Sequence, residues 1–198
     1  MIKVTLDHNA IVDLEQNNKY ATYYRKLVEL HINGKIHLRI SAIHASEKKP
    51  NGTYVTNFAE FKRRIDAIGL SSVEILAPLC YAGISFAGYC LVGGGNLSKL
   101  EEEIQTILFP NIEMEYTQYE KKQGLGQKNT KTMEKWMNAK CDVLSLWSHI
   151  YYKGDIFVTK DNHFHKKTKK PLLIQLGAVD ILEPNKVITK LRYLGIKT

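Results

Sequence analysis

The stretch Ile2-Lys3-Val4-Thr5-Leu6-Asp7-His8-Asn9-Ala10-Ile11-Val12-Asp13-Leu14 opens the chain. Its first five residues alternate apolar and polar, the period of a strand, and meet a carboxylate at Asp7. A helix is expected from Ala10, and Tyr23, Leu27 and Leu30 continue at helical spacing until Asn33-Gly34 stops it. Residues 36–40 predict a second strand. Ser41-Ala42-Ile43-His44-Ala45-Ser46-Glu47 then reads as the entry to another helix. Phe58, Phe61, Ile65 and Ile68 mark an amphipathic helix ending at Gly69, with a short strand expected over 73–76.

The alternation returns at the far end. Met133, Trp136, Met137, Cys141, Leu144, Trp147 and Ile150 keep helical period up to Gly154. Ile156-Phe157-Val158-Thr159 is a β-branched and aromatic strand, residues 179–182 resemble a last strand, and Val187, Leu191 and Leu194 a terminal helix. Strand and helix alternating at both ends predict an α/β fold, a mainly parallel central sheet flanked by helices. Residues from about 53 to 131 do not follow that alternation. They are expected to form an insertion within a single domain spanning 1–198.

With 198 residues and 44% hydrophobic content the chain can bury a core, which excludes disorder as its main description. Cys80, Cys90 and Cys141 are an odd three without a CxxC, so a disulfide scaffold is not expected and a reducing, cytoplasmic setting fits best. Lys3 and Asp7 interrupt any signal-peptide core at the start. Residues 75–92 are uncharged and nearly long enough to span a bilayer. Pro78, Gly83, Ser85, Gly88 and two tyrosines mark them instead as internal packing, and no membrane partner is expected.

The formal charge of +8 is uneven. Residues 100–115 hold Glu101, Glu102, Glu103, Glu113 and Glu115 without Lys or Arg. Two later runs are basic: Lys121, Lys122, Lys128, Lys131 and Lys135, then Lys160, Lys166, Lys167, Lys169 and Lys170 with His163 and His165. Such runs either attract a phosphate backbone or merely solvate a surface.

In a parallel sheet, functional groups collect where strands end at the C-terminal edge. Asp7 follows the first strand directly, and Asp161 comes two residues after Thr159. A helix from Asp142 descends about 16 Å, and the strand after it climbs back about 16 Å. Asp142 and Asp161 should therefore share one edge, where Glu47, after the second strand, can join them. Four carboxylates there repel one another unless a cation intervenes. Hard oxygen donors select Mg²⁺ or Mn²⁺, with Asp7, Asp142 and Asp161 as ligands, a set suited to phosphodiester hydrolysis. Asn9 either positions a phosphate or metal-bound water or caps the helix at Ala10. Thr159 either orients Asp161 or is only a β-former. Lys160, Lys166, Lys167, Lys169 and Lys170 are the nearest positive charge for a phosphodiester backbone. His8 and His163 flank the acids without an evident role. Trp136 and Trp147 read as core, and Gly93-Gly94-Gly95, lacking a following Lys-Ser/Thr, reads as a turn.

These residues resemble the PIN-domain ribonucleases. Val4 to Leu14 looks like that family's opening strand, Asp-x-Asn and apolar helix. Asp155-Ile156-Phe157-Val158-Thr159-Lys160-Asp161-Asn162-His163-Phe164 is similar to its late motif. Cys141-Asp142-Val143-Leu144-Ser145-Leu146 resembles the helix carrying the third acid, and Ser41 to Glu47 the segment carrying the second. The interval between Glu47 and Asp142 is longer than a compact PIN domain needs, which makes Glu60 a substitute for Glu47. The resemblance implies a metal-dependent endoribonuclease acting on RNA, a toxin component or an RNA-processing enzyme, with a homodimer and an antitoxin protein as open partners. Two other readings stand beside it. One is a PIN-like RNA-binding or scaffold module that has lost its metal. The other is a haloacid-dehalogenase-like phosphatase, which wants a carboxylate two residues after Asp7, where this chain has Asn9.

Overall fold

The structure is a computed structural model and describes residues 1–124 and 130–198; Lys128 of the first basic run lies outside the described residues. Its opening strand, β1 (Ile2–Leu6), is the centre of a five-stranded sheet. Beside it lie β2 (Ile36–Ser41) and then β3 (Glu74–Leu76) on one flank, and β4 (Ile156–Val158) and then β5 (Ile181–Leu182) on the other. Every neighbouring pair is parallel. Helices α1 (His8–Gln16), α2 (Ala21–Ile32), α3 (Phe58–Ala67), α4 (Asn96–Leu108), α5 (Tyr116–Lys122), α6 (Thr130–Tyr151), α7 (Asn162–His165), α8 (Lys170–Leu173) and α9 (Pro184–Tyr193) flank it. This is the α/β class expected, with a parallel central sheet flanked by helices.

The period of two decides what each face meets. Val4 and Leu6, Ile36, Leu38 and Ile40, and Ile156 and Val158 join one buried cluster with residues of α1, α2, α3 and α9. The alternate residues Thr5, Arg39 and Ser41 are also buried but polar, and they meet polar residues of α6. Ser41 Oγ lies 2.9 Å from Ser148 Oγ, and His149 Nδ1 lies 2.9 Å from Thr5 Oγ1. Arg39 donates to Thr5 Oγ1 at 3.2 Å and to the Tyr152 carbonyl at 3.0 Å. Buried polar groups are costly without partners, so these bonds fix one register of α6 on the sheet.

Some local expectations change. The helical run from Ala10 to Asn33 is two helices, broken at Asn17, which takes a left-handed φ of 51°. Residues Ala42–Ser46 form a single 3-10 turn, capped by Ser41, and no α-helix follows directly. Within residues 53–131, where no alternation was expected, α3 and β3 continue it to the edge of the sheet, and the remainder holds α4 and α5. Both pack on α6 through contacts that pattern alone does not reveal. Glu101 and Lys140 form a buried ion pair at 2.8 Å, with the Lys140 ammonium 4.6 Å from the centroid of the Tyr81 ring. Both tryptophans of α6 are buried, Trp136 Nε1 donating to the Glu113 carbonyl and Trp147 Nε1 to the Leu97 carbonyl. Cys80 and Cys90 form a disulfide, contrary to the unpaired cysteines expected. The chain loops round there, with Leu79 bridged in parallel to Leu91, and this brings the two sulfurs together. Among the described residues no helix is long and apolar enough to cross a membrane.

Gly154 closes α6 against this polar layer. A Cβ there would stand 2.2 Å from the His149 ring and 2.7 Å from Arg39 Nη2, both held in place by hydrogen bonds. Gly154→Ala should therefore cost about 2–3 kcal/mol in urea unfolding. Gly94→Ala, where nothing lies within 4 Å, should stay within about 0.5 kcal/mol of the parent.

Candidate functional site

β1 and β4 pair in register, Leu6 opposite Val158, so Asp7 and Thr159 leave the sheet side by side. Asp7 N–H donates to the Val158 carbonyl at 3.0 Å. Asp7 itself is the N-cap of α1, its Oδ1 accepting from His8 N–H at 2.8 Å. The helix therefore starts at His8 and not at Ala10, and Asn9 is not its cap. Asn9 instead donates to Asp7 Oδ2 at 2.6 Å and to Thr159 Oγ1 at 3.0 Å, while its Oδ1 accepts from the Tyr24 hydroxyl at 3.0 Å. The Thr159 hydroxyl donates to Asp7 Oδ2 at 2.7 Å and accepts from Asp161 N–H at 3.0 Å. Asp161 caps α7 through His163 N–H at 2.7 Å.

Glu47 follows the 3-10 turn that ends β2. Asp142 lies on the face of α6 that also presents Ser145, Ser148 and His149 to the sheet, at spacings of three, six and seven. His44 Nε2 lies 3.0 Å from Ser145 Oγ, adding another tie that sets the height of Asp142.

The structure thus brings Asp7, Glu47, Asp142 and Asp161, with His8, Asn9 and Lys160, onto the wall of one cavity of about 200 Å³. Thr159 lies beneath it as the hydroxyl bridge. Lys166, Lys167, Lys169 and Lys170 do not line it. Lys169 Nζ donates to the Leu108 carbonyl and Lys170 Nζ to the Ile181 carbonyl, whereas Lys166 and Lys167 are exposed. Glu60 is also off this wall. It serves the start of α3, accepting from Thr56 N–H and pairing with Lys49, which together hold its carboxyl down to about 2.

Charge at this wall is poorly compensated. Burial outweighs the hydrogen bonds to Asp7 and, with the Asp161 charge, pushes its carboxyl up to about 6. Burial and then the charges of Asp7 and Asp142 raise Glu47 well above the carboxylate range. Asp142 is raised likewise by burial, Asp7 and Asp161. The nearby imidazoles cannot balance them. Burial, then the Arg64 charge, lowers His8 to about 3, and burial pushes His44 well below its ordinary value, so both are neutral at pH 7. The 3.7 Å approach of His8 to Glu47 and the 4.0 Å approach of His44 to Asp7 are therefore not ion pairs. Lys160 is shared with Asp13, 2.6 Å away.

Oxygen-only donors that raise one another's pKa fit a hard divalent cation. Among the described residues no three His, Cys, Asp or Glu side chains stand close enough to clamp an ion directly. Tyr24, His44 and Ser145 were not singled out from the sequence. Tyr24 falls between apolar helical positions without a motif, and the only local cue to His44 is its place three residues before Glu47.

A raised carboxyl pKa stabilises the fold at pH values below the ordinary carboxylate range and loses that contribution as pH rises through the shifted value. Asp142→Asn removes one charge at nearly constant shape. In chelator it should raise the thermal midpoint at pH 8 by about 2–4 °C, corresponding to about 1 kcal/mol. The gain should vanish near pH 4, and Mn²⁺ should narrow it at pH 8 by stabilising the parent. Calorimetry across pH measures all three.

No protein-family model matches the chain, and comparison with curated proteins finds no match. Among solved structures, VapBC2 from Rickettsia felis bound to a DNA fragment from their promoter is similar at 16% sequence identity, covering 92% of this chain and 98% of that one, with a TM-score of 0.45. That is a distant likeness, and nothing about the site is taken from it.

Proposed function

We propose that this chain is a metal-dependent endoribonuclease of the PIN type, hydrolysing phosphodiester bonds of RNA at the edge built by Asp7, Glu47, Asp142 and Asp161. The observation that carries the proposal is the gathering of these four carboxylates on one cavity wall beyond the C-terminal ends of a parallel sheet, where burial and neighbouring charge raise Asp7, Glu47 and Asp142. Mg²⁺ or Mn²⁺, when bound, supplies charge neutralisation at the phosphate and an acidified water.

The chain's own groups do the rest. One or two of Asp7, Asp142 and Asp161 would hold the cation, with water completing its shell. Asn9 and Thr159 fix the Asp7 carboxylate in one orientation, since both donate to its Oδ2. Glu47, raised by burial and by its neighbours' charges, accepts a proton at its carboxyl oxygens. Lys160 meets the phosphate at the cavity wall, and exposed Lys166 and Lys167 add attraction for the RNA backbone without reading sequence. A cytoplasmic location, and a second copy of the chain or an antitoxin protein as partner, go with this reading.

A non-catalytic RNA-binding module is the second reading, favoured by the absence of a direct three-ligand cluster among the described residues. A dehalogenase-like phosphatase is disfavoured, because the side chain two residues after Asp7 is an amide already donating to it.

The purified protein should cut single-stranded RNA in Mg²⁺ or Mn²⁺ and stop in chelator. Asp161→Asn should abolish cleavage with the fold retained, and full activity in that variant rejects the proposal. Thr159→Val should lower kcat about 10–100-fold by releasing Asp7. Replacing Lys166 and Lys167 together by Ala should raise KM and flatten its dependence on salt at nearly constant kcat.

A further inference from the structure

A second cavity, of about 500 Å³, adjoins the first, and Asp142 and Asp161 line both. Its long wall is one face of α6, where Lys131, Lys135, Asn138 and Asp142 recur at i, i+4, i+7 and i+11. Opposite stand Phe109, just past the end of α4, and His163 of α7. Their rings meet at 5.3 Å between centroids, tilted by 58°, and form an aromatic corner. The Lys169 ammonium stands 5.8 Å from the Phe109 ring centroid.

Three features of this cavity do not belong to ordinary core packing. Phe109 is only part-buried and His163 and Asn138 are exposed, so two π surfaces and an amide face open space. The lining mixes polar and charged side chains with its rings: Asn138 lies one turn from Asp142, and the far end of the α6 stripe holds Lys131 and Lys135 with Glu134, which pairs with Lys48. The volume lies within the usual range for sites that take a small organic ligand. We propose that this cavity is a nucleobase subsite, which holds one base of the RNA beside the phosphate that the acid wall engages. The inference rests on the ribonuclease reading for the meaning of that neighbour, although the subsite has its own readout.

In this arrangement the base stacks against Phe109 and His163, which any base can do because every base has a π face. Asn138 supplies one amide donor and one amide acceptor toward the base edge, the element able to prefer one base over another. Lys131 and Lys135 meet the next phosphate along the strand, beyond the acid wall, where the Glu134 charge between them is paired with Lys48. Selection of the cut site would then depend on residues 109 and 138, from the segment and helix face that follow α4, and not on the acids.

The test uses the full chain and ligands that it cannot cut. The four ribonucleoside 5′-monophosphates are titrated into isotopically labelled protein, and amide shifts are followed by NMR in chelator. Saturable shifts are expected at residues 109, 111–112, 131–142 and 161–165, with unequal affinity among the four bases. Phe109→Ala should weaken binding about tenfold. Phe109→Leu keeps apolar bulk for folding but removes the π face, and should show a similar loss. Asn138→Ala should level the preference among bases more than it lowers the mean affinity. No shifts at these residues, or shifts unchanged in both Phe109 variants, overturn the subsite, including the case in which this face receives a protein. If nucleotides bind as expected but RNA is not cut in Mn²⁺, the subsite stands and the nuclease reading falls. If RNA is cut and both Phe109 variants retain parental binding and KM, the nuclease reading stands and the subsite falls.

Discussion

The in-register pairing of β1 with β4 is the constraint on which the rest of the molecule depends. It joins residues near the two ends of the chain, Leu6 opposite Val158, and ends both strands at the same height. Asp7 and Thr159 then stand within hydrogen-bonding reach, at 2.7 Å, and Asn9 and Asp161 are tied to the same hydroxyl. A slip of one residue would turn Val4, Leu6, Ile156 and Val158 out of their cluster. The apolar core thereby enforces the geometry of a polar site that it does not itself contain.

The other half of the wall depends on a different kind of contact. The middle of the sheet face toward α6 is buried yet polar: Thr5 and Ser41 find partners on that helix, and Arg39 bonds Thr5 and the Tyr152 carbonyl just past its end. Apolar packing tolerates small shifts, whereas paired hydroxyls, imidazole and guanidinium at about 3 Å do not. Asp142 lies one turn from Ser145 on this helix, so its height above the sheet edge follows from that network.

Bringing four acids to this edge opposes stability. Each is crowded by the others, the imidazoles beside them are neutral, and the one lysine on the wall is shared with Asp13. Local rules of charge and burial are broken most often where a protein functions. The segment holding α4 and α5 contributes differently. It covers α6 through the buried Glu101–Lys140 pair and two indole hydrogen bonds, and it carries Phe109 to the far side of the acid wall.

Much of this was legible in the amino-acid sequence. Alternation over Ile2 to Leu6 and helical period from Met133 to Ile150 are local properties, and they sufficed for the α/β class and for placing Asp7 and Asp161 at strand ends. Matching the helix and strand lengths put Asp142 at the same edge. What sequence left open is long-range. Nothing near Tyr24 or His44 indicates that one would hold Asn9 and the other Ser145, because both contacts cross from one element to another. The Cys80–Cys90 bond depends on the chain looping round, and Glu101 in an acidic run gives no sign of its buried partner 39 residues later. Period and turn chemistry are written within a few residues of chain. Which side chains share a cavity, and whether Lys169 faces solvent or the Leu108 carbonyl, is decided only when distant elements pack.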